Sequence, residues 1–236
     1  MIRLEVHRSP EAASQAVAAR VAATLAAAGG ARAAAHVALA GGTTPRRAYE
    51  LLASLLPHTE TTHWWFGDER CVPPDDPESN YRLARESLLA PAGIPAARVH
   101  RIRGEDPPGL AAAAYERELR ALVPAGADGT PTLDLALLGL GEDGHTASLF
   151  PHDAALDATD LVVPVVAAKP PPHRITLTLP VLRAARAILM LATGEAKRDA
   201  VARVLAGPDR ATPASLLADA DLTLVVDEAA APRTPP

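Results

Sequence analysis

The sequence has few of the residues that crosslink a protein or fill its interior with large rings. It contains one cysteine, Cys71, among 236 residues. This excludes an internal disulfide framework and any Cys-x-x-Cys metal or redox motif. Aromatic residues make up only 3% of the chain, so the core must be built mainly from small aliphatic side chains.

Long apolar runs are also missing. No stretch approaches the ~18 uncharged apolar residues that a membrane helix requires. The N-terminus lacks the apolar region of a signal peptide, because Arg3, Glu5, His7 and Arg8 interrupt it. We therefore expect a cytoplasmic protein that does not associate with membranes.

The chain has no excess of positive charge. Its 23 Lys and Arg are outnumbered by 28 Asp and Glu, which gives a net charge of -5. This argues against a nucleic-acid binder held by bulk charge. If the ligand is an anion, the attraction must come from a local group of cations.

Short apolar runs alternate with helical patterns along the chain, which predicts parallel βαβ units. Several runs, such as Thr132–Gly139, are apolar on both faces, so helices should cover both sides of the sheet. The predicted fold class is α/β, a doubly wound, mostly parallel sheet in a three-layer α/β/α sandwich. Residues 1–228 should form a single domain, with room for a small sub-element, and residues 229–236 a disordered tail.

The pattern also assigns individual elements. Strands are predicted at Ile2–Val6, His36–Ala40, Thr62–Phe66, Val99–Ile102, Thr132–Gly139, Leu161–Val166, Ile175–Leu179, Ala187–Leu191 and Leu222–Val226. Helices are predicted from Pro10 to the Gly29-Gly30 pair and at Pro45–Leu56, Asn80–Leu89, Leu110–Leu122, Leu179–Ala185 and Glu195–Leu205. Ligands of such sheets gather at the carboxyl ends of the strands, where four segments draw attention.

The first segment is the turn between strand HVALA and helix RRAYELL. Gly41 and Gly42 let the backbone turn tightly and approach a ligand. The hydroxyls of Thr43 and Thr44, with the free N–H groups of the helix start, suit a phosphate. The spacing is not that of a P-loop, and an ordinary strand–turn–helix joint remains an alternative.

The second segment is the run Asp68-Glu69-Arg70 after another strand. The planar fork of Arg70 suits a phosphate or a carboxylate, and Asp68 suits a substrate hydroxyl or a proton transfer. The alternative is a solvated charged turn. Trp64 and Trp65, just before it, are expected in the core rather than against a ligand.

The third segment, Gly139–Ser148, contains the pattern GxGxxG. A dinucleotide reading is disfavoured, because Glu142 and Asp143 would repel a pyrophosphate inside that turn. The segment is better interpreted as a loop that presents His145 as a general base, oriented by Asp143 or Glu142. A purely structural histidine is the alternative, and no metal-ligand spacing is present.

The fourth segment, TGEAKR, places Lys197 in the first turn of a helix. The helix dipole disfavours a cation there, so a nearby anion would account for it better than a solvated lysine. Arg174, just before strand ITLTL, is a further candidate cation. Its alternative role is a surface salt bridge.

Together, in this order and spacing, these segments resemble the 6-phosphogluconolactonase family of the oxidative pentose phosphate pathway. The matching stretches are LAGGTTPRRAYELL, WWFGDERCVPPDDPESNYRLARESLL, LDLALLGLGEDGHTASLFP and PPHRITLTLPVLRAARAILMLATGEAKRDAV. The related glucosamine-6-phosphate deaminase family shares the GGTTP, Asp-Glu, GxGxDGH and GxxK themes. The resemblance implies a Rossmann-like α/β/α fold and a sugar 6-phosphate substrate for both families.

Two positions favour the lactonases. The deaminases carry a glutamate five residues after the histidine, where this chain has Phe150, and a tyrosine where it has Arg70. A deaminase or isomerase, or a non-catalytic sugar-phosphate-binding domain, is the alternative reading.

The resemblance implies that the chain hydrolyses 6-phospho-D-glucono-1,5-lactone to 6-phospho-D-gluconate without a metal or organic cofactor. His145 would be the general base on water, Asp143 would orient it, and Asp68 would act on substrate hydroxyls or protons. The substrate-binding residues would be Gly41, Gly42, Thr43, Thr44, Arg70, Arg174 and Lys197. A monomer or a homodimer is expected.

Overall fold

A six-stranded parallel sheet forms the centre of the protein. The computed structural model describes residues 2–31, 34–56 and 61–233. The central strands are β1 (Arg3–His7), β2 (Ala35–Leu39), β3 (Thr62–Phe66), β5 (Leu135–Gly139), β8 (Ile188–Ala192) and β9 (Leu222–Asp227). They lie in the order β1-β9-β8-β5-β2-β3, and every neighbouring pair is parallel.

Both faces of this sheet are covered. Every residue of β2, β8 and β9 is buried, and successive side chains of a strand point to opposite faces. The α-helices are α1 (Pro10–Ala31), α2 (Arg46–Leu55), α3 (Asn80–Ala84), α4 (Pro108–Leu122), α5 (Leu179–Ala184) and α6 (Arg198–Leu205). The predicted α/β fold class with a mostly parallel sheet is therefore confirmed.

A second, three-stranded antiparallel sheet was not predicted in detail. It consists of β4 (Asp68–Arg70), β7 (His173–Leu177) and β6 (Val162–Val166), in that order. The solvated turn considered for Asp68–Arg70 is wrong, because these residues form an edge strand of this sheet in which Asp68 and Glu69 are buried. Pairing with β7 satisfies the backbone, and hydrogen bonds satisfy the two carboxylates.

Three further local predictions differ from the structure. No strand forms at Val99–Ile102, where only Val99 makes a bridge to Trp64. The helix expected to stop at the Gly29-Gly30 pair continues to Ala31. The helix predicted from Asn80 changes after α3 to a π-helical segment, Arg85–Leu89.

The chain after β9 returns to the body of the protein. Ala230 is fully buried, and its N–H donates to the Asp227 carboxylate at 3.0 Å. Residues 234–236 of the predicted tail lie outside the described residues, so the boundary at residue 228 stays a prediction. No helix in the described part of the chain is long and apolar enough to cross a membrane.

Three histidines meet at the amino-terminal end of the central sheet. His36 of β2 lies beside His63 of β3 in the parallel register, with ring centroids 4.9 Å apart. The indole N–H of Trp65 donates to Nδ1 of His36 at 3.2 Å, which requires that nitrogen to be unprotonated. Burial, reinforced by the charge of His63, lowers the pKa of His36 to about 4.

The other two histidines have tautomers fixed by their neighbours. An arginine can only donate, so Arg98 donates to Nε2 of His63 at 2.5 Å. Nδ1 of His63 must then donate to Nε2 of His100 at 2.7 Å, and Nδ1 of His100 donates to Glu118 at 2.6 Å. These hydrogen bonds fix which ring nitrogens of His63 and His100 donate and which accept.

The buried, neutral His36 predicts a pH dependence of stability. Because its folded pKa of about 4 lies below the usual 6.5, unfolding takes up a proton between these values, and stability should fall as the pH falls through that range. The slope from one such group reaches about 1.4 kcal/mol per pH unit. His36→Asn, which keeps an acceptor for Trp65, should flatten the slope measured by urea unfolding.

The control is His152→Asn, since His152 is exposed and its loss should leave the slope unchanged. Equal slopes in the wild type and His36→Asn would contradict the interpretation.

Candidate functional site

The four segments singled out in the sequence follow four strands that are neighbours in the sheet. The order β8-β5-β2-β3 brings the loops after these strands to one edge. From β2 the chain moves to β3 on one side, whereas β5 lies on the other side. Such a switch in direction opens a crevice at the carboxyl ends of the two strands, here between the Gly41–Thr44 turn and the His145 loop.

A cleft of about 220 Å³ occupies this position. Its walls contain nearly all of the residues predicted for the site: Gly41, Gly42, Thr43, Thr44, Asp68, Arg70, His145, Arg174 and Lys197. Asp143 does not line the cleft but contacts His145 behind it. The structure thus brings the ten predicted residues together.

The imidazole of His145 is held by a carboxylate. Nδ1 of His145 lies 2.5 Å from Oδ1 of Asp143, which also accepts the His145 backbone N–H at 3.2 Å. The hydrogen bond from His145 holds the pKa of the Asp143 carboxyl well below its usual range. The ionised Asp143 therefore keeps a proton on Nδ1 and leaves Nε2, which bonds no described residue, as the basic atom.

The loop around this pair depends on close backbone approach. A Cβ at Gly141 would lie 2.0 Å from Nδ1 of His145, so only glycine leaves room for the ring. Behind the loop, the guanidinium of Arg203 donates to the carbonyl of Glu142 at 2.8 Å. The N–H of Ala214 donates to the carbonyl of Gly144 at 3.0 Å. These bonds fix the loop from the side away from the cleft.

Two arginines face each other across the antiparallel strands. Arg70 of β4 lies directly opposite Arg174 of β7, an arrangement of like charges that destabilises a sheet. Arg174 is 7% exposed, and burial followed by the charge of Arg70 lowers its pKa. The buried Nε of Arg70 has no hydrogen-bond partner among the described residues. An anion bound between the two would offset this repulsion.

The third cation comes from the loop after β8. Lys197 ends a 3-10 turn, Glu195–Lys197, directly before α6. The turn begins at Gly194, whose φ of 90° suits glycine and whose N–H donates to buried Asp227 at 2.9 Å. The Lys197 ammonium lies 3.9 Å from Glu142, and it faces the same cleft as the arginines.

Three buried or half-buried residues next to the site were not among the predicted site residues. The Phe150 ring lies between the imidazole of His145, at 4.9 Å, and the guanidinium of Arg174, at 5.6 Å. Ser148 and Asn80 both donate to the carboxylate of Asp68. The one available signal was composition, since Asn80 is the only asparagine in the chain.

The arrangement combines one neutral base with a positively charged wall. His145 can accept a proton at Nε2, while Arg70, Arg174 and Lys197 offer charge to an anionic group. Asp68 offers a carboxylate to hydroxyl groups. No three His, Cys, Asp or Glu side chains are grouped to hold a metal ion within residues 2–31, 34–56 and 61–233.

Comparison with known proteins gives consistent matches. Residues 8–226 match the family described as glucosamine-6-phosphate isomerases/6-phosphogluconolactonase. A 6-phosphogluconolactonase from Streptomyces coelicolor is 40% identical over 99% of this chain and 95% of its own length. The structure of 6-phosphogluconolactonase from Trypanosoma brucei is 31% identical, with a TM-score of 0.86 over 98% of this chain and 97% of that one.

A glucosamine-6-phosphate deaminase has the same fold. Its structure, described as monomeric, reaches a TM-score of 0.82 over 97% of this chain and 98% of that chain, at 23% identity. At this identity the likeness concerns the fold alone.

The opposed arginines predict an anion-dependent stability. Inorganic phosphate should raise the melting temperature of the protein, because a ligand of the folded state stabilises it by mass action. Arg174→Gln removes a charged donor worth about 1.5–3 kcal/mol, so the Kd for phosphate should rise about tenfold or more. Isothermal titration and thermal shift with phosphate measure both effects.

A matched variant, Arg120→Gln, removes an exposed arginine of α4 that is paired with Glu116. It should leave the phosphate affinity unchanged. An Arg174→Gln protein that binds phosphate as tightly as the wild type would remove Arg174 from the anion site.

Proposed function

The chain belongs to the glucosamine-6-phosphate isomerase/6-phosphogluconolactonase family, and from this premise we propose how its cleft works as a lactonase. The protein hydrolyses 6-phospho-D-glucono-1,5-lactone to 6-phospho-D-gluconate, the lactone step of the oxidative pentose phosphate pathway. The observation that carries the mechanism is that His145, which is bonded to Asp143, lines the same cleft as three cations. His145 and the three cations line this one cleft of about 220 Å³.

The phosphate of the substrate binds at the cationic wall. A phosphate monoester carries up to two negative charges. The planar guanidinium of an arginine can donate two hydrogen bonds to two of its oxygens. Arg70 and Arg174 oppose each other in the paired strands, and Arg70 also lies 3.5 Å from the carboxylate of exposed Glu78. The Gly41–Thr44 turn adds backbone N–H groups and hydroxyls, and Lys197 adds a third charge. The repulsion between the two arginines in the free protein is the structural support for this assignment.

His145 acts as the general base on a water molecule. Nε2 takes a proton from the water as its oxygen attacks the lactone carbonyl carbon. The tetrahedral oxyanion that forms is stabilised by nearby donors. When the ring C–O bond breaks, Nε2 returns the proton to the leaving ring oxygen, so His145 ends the cycle neutral. Asp143 stabilises the imidazolium between these transfers, since its ionised carboxylate stays on Nδ1.

Asp68 binds substrate hydroxyls. Its carboxylate is 5% exposed at the floor of the cleft and holds hydrogen bonds from Ser148 and Asn80. A carboxylate held in this way presents its remaining lone pairs in a fixed direction. The cytoplasmic location and the oligomeric state stay predictions.

The direct test compares lactone hydrolysis with the spontaneous rate. His145→Asn should lower kcat by about 10²–10⁴-fold, the usual contribution of a general base, and should leave phosphate binding intact. The matched control is His152→Asn, seven residues along. His152 is exposed and has a φ of 60°, a conformation that asparagine tolerates, so this variant should keep the wild-type rate.

Three outcomes would count against the proposal. A wild-type protein that does not exceed the spontaneous rate is not a lactonase under these conditions. Ammonia release from glucosamine 6-phosphate would point to deaminase chemistry instead. A His145→Asn protein with a near-normal kcat would leave the activity in place but remove His145 from its role.

A further inference from the structure

We propose that Asn80 is a positioning residue of the lactonase site. It holds Asp68 and the glycine turn, Gly41–Gly42, in the relative position that the reaction needs. The inference rests on the proposed function, because it concerns a residue that acts through Asp68. Asn80 does not line the cleft that contains the predicted site, and no motif in the sequence assigns it a role. Its buried side chain nevertheless touches two of the cleft's walls.

The carboxamide of Asn80 connects these walls by hydrogen bonds. Nδ2 donates to the backbone carbonyl of Asp68 at 2.9 Å and to its carboxylate Oδ1 at 3.0 Å. Oδ1 of Asn80 accepts the N–H of Gly42 at 3.4 Å. A carboxamide can donate to a carboxylate through its NH₂ group and accept from an N–H through its oxygen at the same time. Neither Asp nor Leu at this position could do both.

Steric contact makes the connection rigid. A Cβ at Gly41 would lie 2.2 Å from the Asn80 carboxamide, so the glycine turn rests directly on this group. A displacement of Asn80 would therefore move the backbone of the turn as well as the carboxylate of Asp68. Both the glycine turn and Asp68 line the cleft.

The backbone of Asn80 is held in place by the carboxylate of Glu69. The Glu69 carboxylate accepts the N–H of Asn80 at 2.7 Å, the N–H of Tyr81 at 2.8 Å and the hydroxyl of Ser79 at 3.0 Å. Burial raises the pKa of Glu69 to about 7, against these hydrogen bonds. The N–H of Arg70 is a further donor to this carboxylate.

The second oxygen of Asp68 is held by the loop that carries the base. The hydroxyl of Ser148 donates to Asp68 Oδ2 at 2.6 Å, and Ser148 is fully buried three residues after His145. The Asp68 carboxylate thus accepts hydrogen bonds from two side chains that lie in other segments of the chain, Asn80 and Ser148. Asn80 supplies the connection to the glycine turn, and Ser148 supplies the connection to the His145 loop.

Asn80→Asp is the sharpest test, because it keeps the shape and replaces only the donor. Two carboxylates would then face each other at about the present 3.0 Å contact, and such a pair tends to share one proton. At neutral pH the repulsion should displace Asp68 and lower kcat about 10–100-fold, the scale of a small misplacement in a site. As the pH falls and the shared proton binds, the ratio of variant to wild-type kcat should rise.

The ratio is needed because other groups titrate too. The titratable and charged groups that interact electrostatically with Asp68 include Glu69, Tyr49 and Arg174. These groups are present in both the variant and the wild type. Gln15→Glu is the matched control, since it makes the same amide-to-acid change at an exposed position of α1. Its ratio should stay near one and should not vary with pH.

A second variant covers the case in which Asn80→Asp does not fold. Ser148→Ala adds no charge and removes the donor on the other oxygen of Asp68. Its kcat should fall about tenfold or more at all pH values, while circular dichroism and phosphate binding remain those of the wild type.

The outcomes separate this inference from the function on which it rests. If the wild type hydrolyses the lactone and a folded Asn80→Asp has the wild-type kcat at every pH, Asn80 has no positioning role. If Asn80→Asp is unfolded and Ser148→Ala keeps the wild-type kcat, the hydrogen bonds that hold the Asp68 carboxylate do not matter for the reaction. A wild type without activity above the spontaneous rate refutes the proposed function itself.

Discussion

Parallel pairing of β8, β5, β2 and β3 is the constraint on which the site depends. In a parallel sheet all carboxyl ends lie at one edge, and the chain must leave each strand through a loop at that edge. Four loops that are far apart in sequence are thereby brought within one cleft of about 220 Å³. The chemistry of the protein follows from which residues these four loops carry.

The small antiparallel sheet changes what one of these loops can do. Because Asp68 and Arg70 belong to β4 rather than to a free turn, their side chains are held at a fixed register against β7. That register places Arg70 opposite Arg174, which gives the cleft a concentrated positive charge although the chain as a whole is acidic. Strand pairing thus groups cations locally, as the composition requires if the ligand is an anion.

Most of the fold, and most of the residues that line the cleft, were predictable from local pattern. Strands that are apolar on both faces, such as β8 and β9, have a sequence pattern that predicts their burial. The strand Asp68–Arg70 was not predictable, because three charged residues carry no apolar signal and their burial depends on hydrogen bonds from distant residues. The same holds for Asn80, whose partners Gly42 and Asp68 are supplied by the tertiary structure.

The contact between Gly41 and Asn80 has a consequence for how this site can change over evolutionary time. A side chain at position 41 would occupy the space of the Asn80 carboxamide, so neither position can be altered freely while the other keeps its present residue. A new residue at Gly41 would require a smaller one at position 80, and that smaller residue would release Asp68. The two positions are thus constrained as a pair by steric contact.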